Sequence, residues 1–128
     1  MHSWGERYKG LLERYQHVIR VGLYGHTHST KLNYAKSYTE PNKNIGINFI
    51  GGSMTPYTHR NPSFTVIEFD AELMIPVDIK VYYFNLTQAN VLNQPKWELL
   101  YDVTSEYFMK DLSPDSFAKV ANEIRDNE

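Results

Sequence analysis

The sequence predicts an α/β chain, α+β-like in this piece, in which a sheet is flanked by helices. Three observations predict it. Ser63 to Asp70 and Val77 to Phe84 are rich in β-branched and aromatic residues and are joined by a short connection around Glu72 to Pro76, the pattern of an antiparallel hairpin. Helical apolar stripes stand near both ends, at Trp4, Tyr8, Leu11, Leu12 and Tyr15 and again at Phe117, Val120, Ala121 and Ile124. Between the first stripe and the hairpin, an apolar run over residues 18–24 ends in Gly25-His26-Thr27-His28, a strand handing two imidazoles to a loop.

The elements follow in order. Ser3-Trp4-Gly5-Glu6 reads as a capping box, with a helix running from it to about His17 and its apolar face turned to the core. Residues 18–24 form a strand, and residues 29–44, rich in Ser, Thr, Asn and Lys with Pro41, form a long connection. Gly46 to Ile50 alternates as a strand does and stops at Gly51-Gly52, before a polar loop from Ser53 to Pro62. After the hairpin come a short helix at Leu86 to Leu92, an extended segment at Pro95 to Tyr101 and a short helix at Thr104 to Met109. Ser113 caps the last helix and Pro114 takes its first position. Residues 1–128 read as one unit, with residues 1–85 holding the sheet and the histidine loop and residues 86–128 a helical subdomain.

Composition narrows the function classes. The 128 residues are 41% hydrophobic and 22% charged, with 14% aromatics and ten tyrosines, which suits a folded domain able to bury a core. A net charge of -2 with both signs interspersed leaves no basic stripe for a nucleic-acid polymer. No apolar run approaches the ~20 residues of a membrane span. Cysteine is absent, so a metal must rest on His, Asp, Glu or Asn. Asn85-Leu86-Thr87 is a glycosylation sequon, whereas Pro62 disqualifies Asn61-Pro62-Ser63.

His26 and His28 have two readings. Past a strand end, Gly25 can adopt a backbone conformation closed to other residues and aim the two rings at neighbouring cations. Such a pair serves two-metal phosphoryl chemistry, with metals ~3.5–4 Å apart. The alternative is a surface turn with two solvated imidazoles. Tyr57 and His59 lie on a loop expected near the same sheet edge and are weaker candidates for substrate contact. Arg60 reads as a solvated loop arginine and His17 as a capping or packing residue.

Val21-Gly22-Leu23-Tyr24-Gly25-His26-Thr27-His28 resembles the last metal motif of calcineurin-like metallophosphoesterases. Gly52-Ser53-Met54-Thr55-Pro56-Tyr57, Asn61-Pro62-Ser63-Phe64, Tyr83-Phe84-Asn85-Leu86-Thr87-Gln88-Ala89-Asn90 and Trp97-Glu98-Leu99-Leu100-Tyr101 follow in the order of acid sphingomyelinase-like phosphodiesterases, with Ser3-Trp4 as the segment ahead of the last motif. The resemblance implies the C-terminal part of a β-sandwich flanked by helices. It implies two divalent ions, zinc by default, with His26 on one and His28 on the other. The substrate class it implies is a sphingomyelin-like phospholipid or a nucleotide phosphoester. The family's Asp-x-His, bridging Asp and Gly-Asn-His motifs are absent from these residues, so no catalytic residue is assigned here and the chain is expected to be inactive without an N-terminal half. Secretion or a lysosomal location, with a glycan on Asn85, follows from the same resemblance. The alternative is a non-catalytic binding or structural module that associates with itself by strand or element exchange.

Overall fold

The structure is a computed structural model that describes residues 4–57 and 59–127. Two three-stranded sheets face each other across one core, with helices on the flanks and ends. The elements are α1 (Trp4–Arg14), β1 (Gly22–Tyr24), β2 (Lys31–Lys36), β3 (Asn44–Ile50), β4 (Ser63–Phe69), β5 (Pro76–Tyr83), α2 (Leu86–Leu92), β6 (Glu98–Asp102), α3 (Val103–Glu106) and α4 (Pro114–Asp126). Mixed helix and strand, with both kinds of strand pairing, is the α+β arrangement that the sequence predicts.

In the first sheet β3 is central. It pairs parallel with β1, Tyr24 opposite Ile50, and antiparallel with β2, Lys31 opposite Ile50. In the second sheet β5 is central between β4 and β6, and both pairings are antiparallel. Each central strand alternates apolar residues inward: Ile47 and Phe49 from β3 meet Ile79 and Val81 from β5, and Val103, Leu112 and Phe117 close the cluster. Ile79, Val81 and Val103 are wholly enclosed, and burying each such side chain is worth about 1.5–3 kcal/mol.

The hairpin forms as predicted, and α2 occupies the residues expected of it. Asn85 caps α2, its Oδ1 accepting from Gln88 N at 3.0 Å, and Asn93 ends it in the left-handed region. Ser113 Oγ likewise caps α4 by accepting from Ser116 N, with Pro114 at its first turn. The Ser3 hydroxyl of the expected capping box lies outside the described residues.

Three expectations are corrected. Residues 29–44 are not one connection, because β2 lies within them. Its inward residues Leu32 and Tyr34 pack on the core while Lys31 and Asn33 point out, a period-2 pattern masked by the polar composition of an edge strand and ended by the irregularity between Ala35 and Lys36. The first strand is shorter than residues 18–24, since the turn leaving α1 reaches residue 18 and only Gly22–Tyr24 pairs. The apolar face of α1 is not core: Leu12 is buried, but Trp4, Tyr8, Leu11 and Tyr15 are exposed. Within residues 86–128 the extended segment expected at Pro95 to Tyr101 pairs as β6 and completes the second sheet, and α4 packs on β2 and β3 of the first.

α1 is held at its C-terminal end by one carboxylate. Glu13 accepts from Ser37 Oγ at 2.8 Å, Tyr38 N at 2.7 Å and Thr39 Oγ1 at 2.9 Å. These donors, led by the Tyr38 amide, hold its carboxyl below the usual range.

Candidate metal centre

Because β1 and β3 are parallel, the chain leaves both at the same edge of the sheet, the carboxyl end at which ligands meet open α/β sheets. The loop that follows β1 carries His26 and His28, and the loop that follows β3 carries Tyr57 and His59. Gly51 N donates to Tyr24 O at 2.9 Å, continuing the ladder by one step, and Ser63 N donates to Ser53 O at 2.8 Å to close the second loop at its base. Gly52 permits that closure. A Cβ there would overlap Ser63 Oγ and stand 3.3 Å from Ser63 Cβ and 3.5 Å from Thr30 Oγ1.

The unusual backbone falls on the histidines themselves. His26 has φ 80 and His28 φ 56, whereas no described glycine has a positive φ. The expected role of Gly25 is therefore corrected: the left-handed turns that break the strand's alternation occur one and three residues later. An L-residue in that region costs about 1–2 kcal/mol, and such conformations concentrate at functional sites. Thr27 Oγ1 donates to Ser29 O at 3.4 Å and Ser29 Oγ to Thr27 O at 3.3 Å, so the loop is braced across its tip.

His28 is half-buried, and its Nδ1 is buried without a hydrogen-bond partner among the described residues. The Tyr57 ring stands edge-on to it, with centroids 6.1 Å apart and planes at 74°. Leaving a buried nitrogen unpaired costs about 1–3 kcal/mol, and coordination to a metal would remove that cost. The chemistry of the two imidazoles thus fits a ligand role. They are nonetheless a partial set, because among the described residues no group of three or more His, Cys, Asp or Glu converges.

Of the other sequence-predicted residues, Tyr57 is brought to His28. His59 is exposed with φ 60, Arg60 is exposed beside it, and His17 is exposed in the turn leaving α1. Asn85 is exposed, and its Oδ1 rather than Nδ2, the atom a glycan would join, does the capping. Sequence reasoning missed Tyr101. On β6, burial makes its hydroxyl less acidic and raises its pKa, with the Thr30 hydroxyl, just after the histidine loop, acting in the opposite direction. A tyrosine 71 residues from its partner leaves no local signal; the strand pairing alone brings them together. Beneath the loop, burial and the neighbouring Tyr8 hydroxyl raise the Tyr24 hydroxyl to about 12, so both tyrosines stay neutral at the sheet's edge.

The fold and this edge define a class: a two-sheet α+β piece carrying a strained two-histidine loop at the carboxyl end of parallel strands. Residues 46–128 match the acid sphingomyelin phosphodiesterase C-terminal region, and the chain belongs to that family. It is 32% identical over 125 residues to sphingomyelin phosphodiesterase A of Dictyostelium discoideum and 30% identical over 131 residues to sphingomyelin phosphodiesterase 2 of Caenorhabditis elegans. Each of these alignments covers 98% of this chain and 21% of the relative. A cyclic GMP-AMP phosphodiesterase of Bos taurus is 27% identical over 125 residues, covering 93% of this chain and 27% of that protein. The chain therefore spans about a fifth to a quarter of the length of these relatives. The family match begins downstream of His26 and His28; the 98% alignments include them. Among the described residues no helix is long and apolar enough to cross a membrane.

Proposed function

We propose that this chain is the C-terminal part of a metal-dependent phosphodiesterase and contributes His26 and His28 to a two-metal centre completed by residues outside these 128. The observation that carries the reading is the buried, unpartnered Nδ1 of His28 in a loop whose two histidines both hold positive φ. Bound divalent ions would lower the pKa of a water and neutralise charge on a phosphoryl group. The chain's own residues bind and orient: His26 and His28 offer nitrogen ligands, Tyr57 fixes the His28 ring by its edge contact, and the braced loop keeps both imidazoles at one sheet edge. The substrate is a phosphodiester, either a sphingomyelin-like phospholipid or a nucleotide phosphoester, in keeping with the names of the relatives. Zinc suits imidazole ligands, and a secreted or lysosomal location with a glycan on the exposed Asn85 belongs to the same reading.

The test has two arms. Titrated with zinc, the chain alone should bind weakly, with heat lost in the double variant His26→Ala/His28→Ala, and it should not hydrolyse bis(4-nitrophenyl) phosphate. Joined to the upstream part of a longer reading frame it should turn that substrate over, and His28→Ala should lower the rate roughly a hundredfold or more. Full turnover by the His28→Ala protein would overturn the reading.

A second reading has its own observation. Trp4, Tyr8, Leu11 and Tyr15 form an exposed face, and β1 is paired on one side only, which would also suit a module that associates with copies of itself.

A further inference from the structure

At the opposite edge of the first sheet from the histidine loop lies a cavity of about 460 Å³, within the size range of small-molecule sites. Ile45 at the start of β3 lines it, and Ile50 at the far end of the same strand lies opposite Tyr24, just before the histidine loop. Five strand steps separate them, about 17 Å. The cavity is thus a second concave region, independent of the proposed metal centre.

Separate parts of the chain build it: the turn leaving α1, the first residues of β3, the end of the β4–β5 connection and the approach to α4. Buried Ile45, Pro76 and Leu112 and half-buried Ile19 give it apolar walls. Arg20 and Lys110 are exposed cations on that lining, and neither enters an ion pair among the described residues. The one carboxylate present, Asp111, is already engaged. Its Oδ1 accepts from Ser113 N at 3.0 Å and Ser116 Oγ at 2.6 Å, and the Ser113 and Ser116 hydroxyls together with the Ser113 amide hold its carboxyl at about 2, with Lys110 adding a smaller attraction. Asp111 is therefore turned toward the start of α4, whose positive dipole end also borders the cavity. An apolar-walled hollow flanked by two uncommitted cations is complementary to a molecule with an apolar body and one anionic head.

We infer that this cavity binds a single-chain anionic amphiphile, its head between Arg20 and Lys110 and its hydrocarbon body against Ile19, Ile45, Pro76 and Leu112. Neither the apolar walls nor the cations suffice alone. The walls would accept any hydrocarbon, and the cations would accept any anion; the combination selects molecules with both features.

The test is calorimetric titration of the chain with dodecanoate below its micelle concentration, alongside dodecyl phosphate, inorganic phosphate and the uncharged dodecyl maltoside. Dodecanoate and dodecyl phosphate should each bind at one site. Inorganic phosphate and dodecyl maltoside should bind at least about tenfold more weakly. The double variant Arg20→Gln/Lys110→Gln, both positions being exposed, should keep its melting temperature by circular dichroism and lose about tenfold or more in dodecanoate affinity. Equal binding of the maltoside would overturn the anionic head, and equal binding of phosphate would overturn the apolar body. Unchanged affinity in the double variant, or no dodecanoate binding at all, would overturn the site itself.

Discussion

The helices α1 and α4 begin from the same sequence pattern and end in different surroundings. Each carries an apolar stripe at helical spacing with charged residues between. α4 lies across β2 and β3 and buries Phe117, Ala118 and Val120, whereas α1 meets the sheet mainly along β3, with Tyr8 reaching Tyr24 of β1, and buries only Leu12. Ala121 and Ile124, the last two members of the α4 stripe, are exposed toward the helix end, but on α1 four of five stripe residues are exposed. Amphipathicity therefore specifies that a helix has a partner surface, without specifying that the surface lies in the same stretch of chain. For α4 the partner is the first sheet. For α1 the described residues leave most of the face exposed, which agrees with a chain that spans about a fifth of the length of its relatives.

The largest effects should come from testing that contrast directly. Phe117→Ala in α4 removes a ring 3% exposed in the central cluster and should cost about 3–5 kcal/mol in urea denaturation, enough to threaten the fold. Leu11→Ala in α1 should cost less than about 1 kcal/mol, since that side chain is 52% exposed. If Leu11→Ala proved as damaging as Phe117→Ala, and its effect grew with protein concentration, a second copy would be covering α1 in solution. The self-associating reading would then gain over the fragment reading.

The two helices are also anchored by carboxylates at opposite ends, and acid should separate them. Glu13 holds the end of α1 to the Ser37–Thr39 segment, while Asp111 holds the start of α4, with Asp102 doing similar work at α3. In all three the folded pKa lies below the unfolded value, and for Asp102 and Asp111 it is about 2 against an ordinary 3.8. Their stabilisation is therefore complete above the unfolded pKa and is lost as pH falls toward the folded one. The denaturation midpoint should hold steady to about pH 4.5 and then fall between about pH 4 and 2. Asp111→Asn should flatten part of that fall. Glu13→Gln should instead speed hydrogen exchange in α1 at neutral pH with little effect on α4. A midpoint independent of pH from 5 to 2 would show that these networks do not stabilise the fold.

Much of the second sheet was legible in the sequence because its signals are local. β4 and β5 are contiguous runs with a short turn, and the caps Asn85 and Ser113 sit within three residues of the amides they serve. The first sheet was less so. β2 presents mostly polar side chains as an edge strand, and its inward pair, Leu32 and Tyr34, is too sparse to outweigh them. At the candidate site, the identity of His26 and His28 was readable, but the placement of strain was not. Gly25 was the residue expected to bend because glycine bends at least cost; the structure puts positive φ on the histidines, where the cost is borne by the ligands themselves. Tyr101 and the Gly52–Ser63 approach arise from pairings distant in sequence, and no spacing rule reaches them.

That misplaced strain yields the smallest predicted effect and the most discriminating one. If His26 holds φ 80 for the sake of ring direction alone, His26→Gly relieves the steric cost while making the unfolded chain more flexible, and the two terms oppose each other. The left-handed penalty of about 1–2 kcal/mol equals or exceeds the entropic cost of glycine, about 0.5–1 kcal/mol, so the chain should gain up to about 1.5 kcal/mol. Gly25→Ala is the matching control, since a Cβ there meets nothing within 4 Å and its φ is not positive. It should be neutral or slightly stabilising. A His26→Gly protein that unfolds at higher urea while losing its zinc heat would mean that the loop holds its histidines against their own backbone preference. If His26→Gly instead destabilised the chain by 1 kcal/mol or more, which exceeds glycine's entropic cost of about 0.5–1 kcal/mol, the ring would be making a packing contribution of its own, and the loop would belong with α4 rather than α1: a feature whose partner is already within these residues.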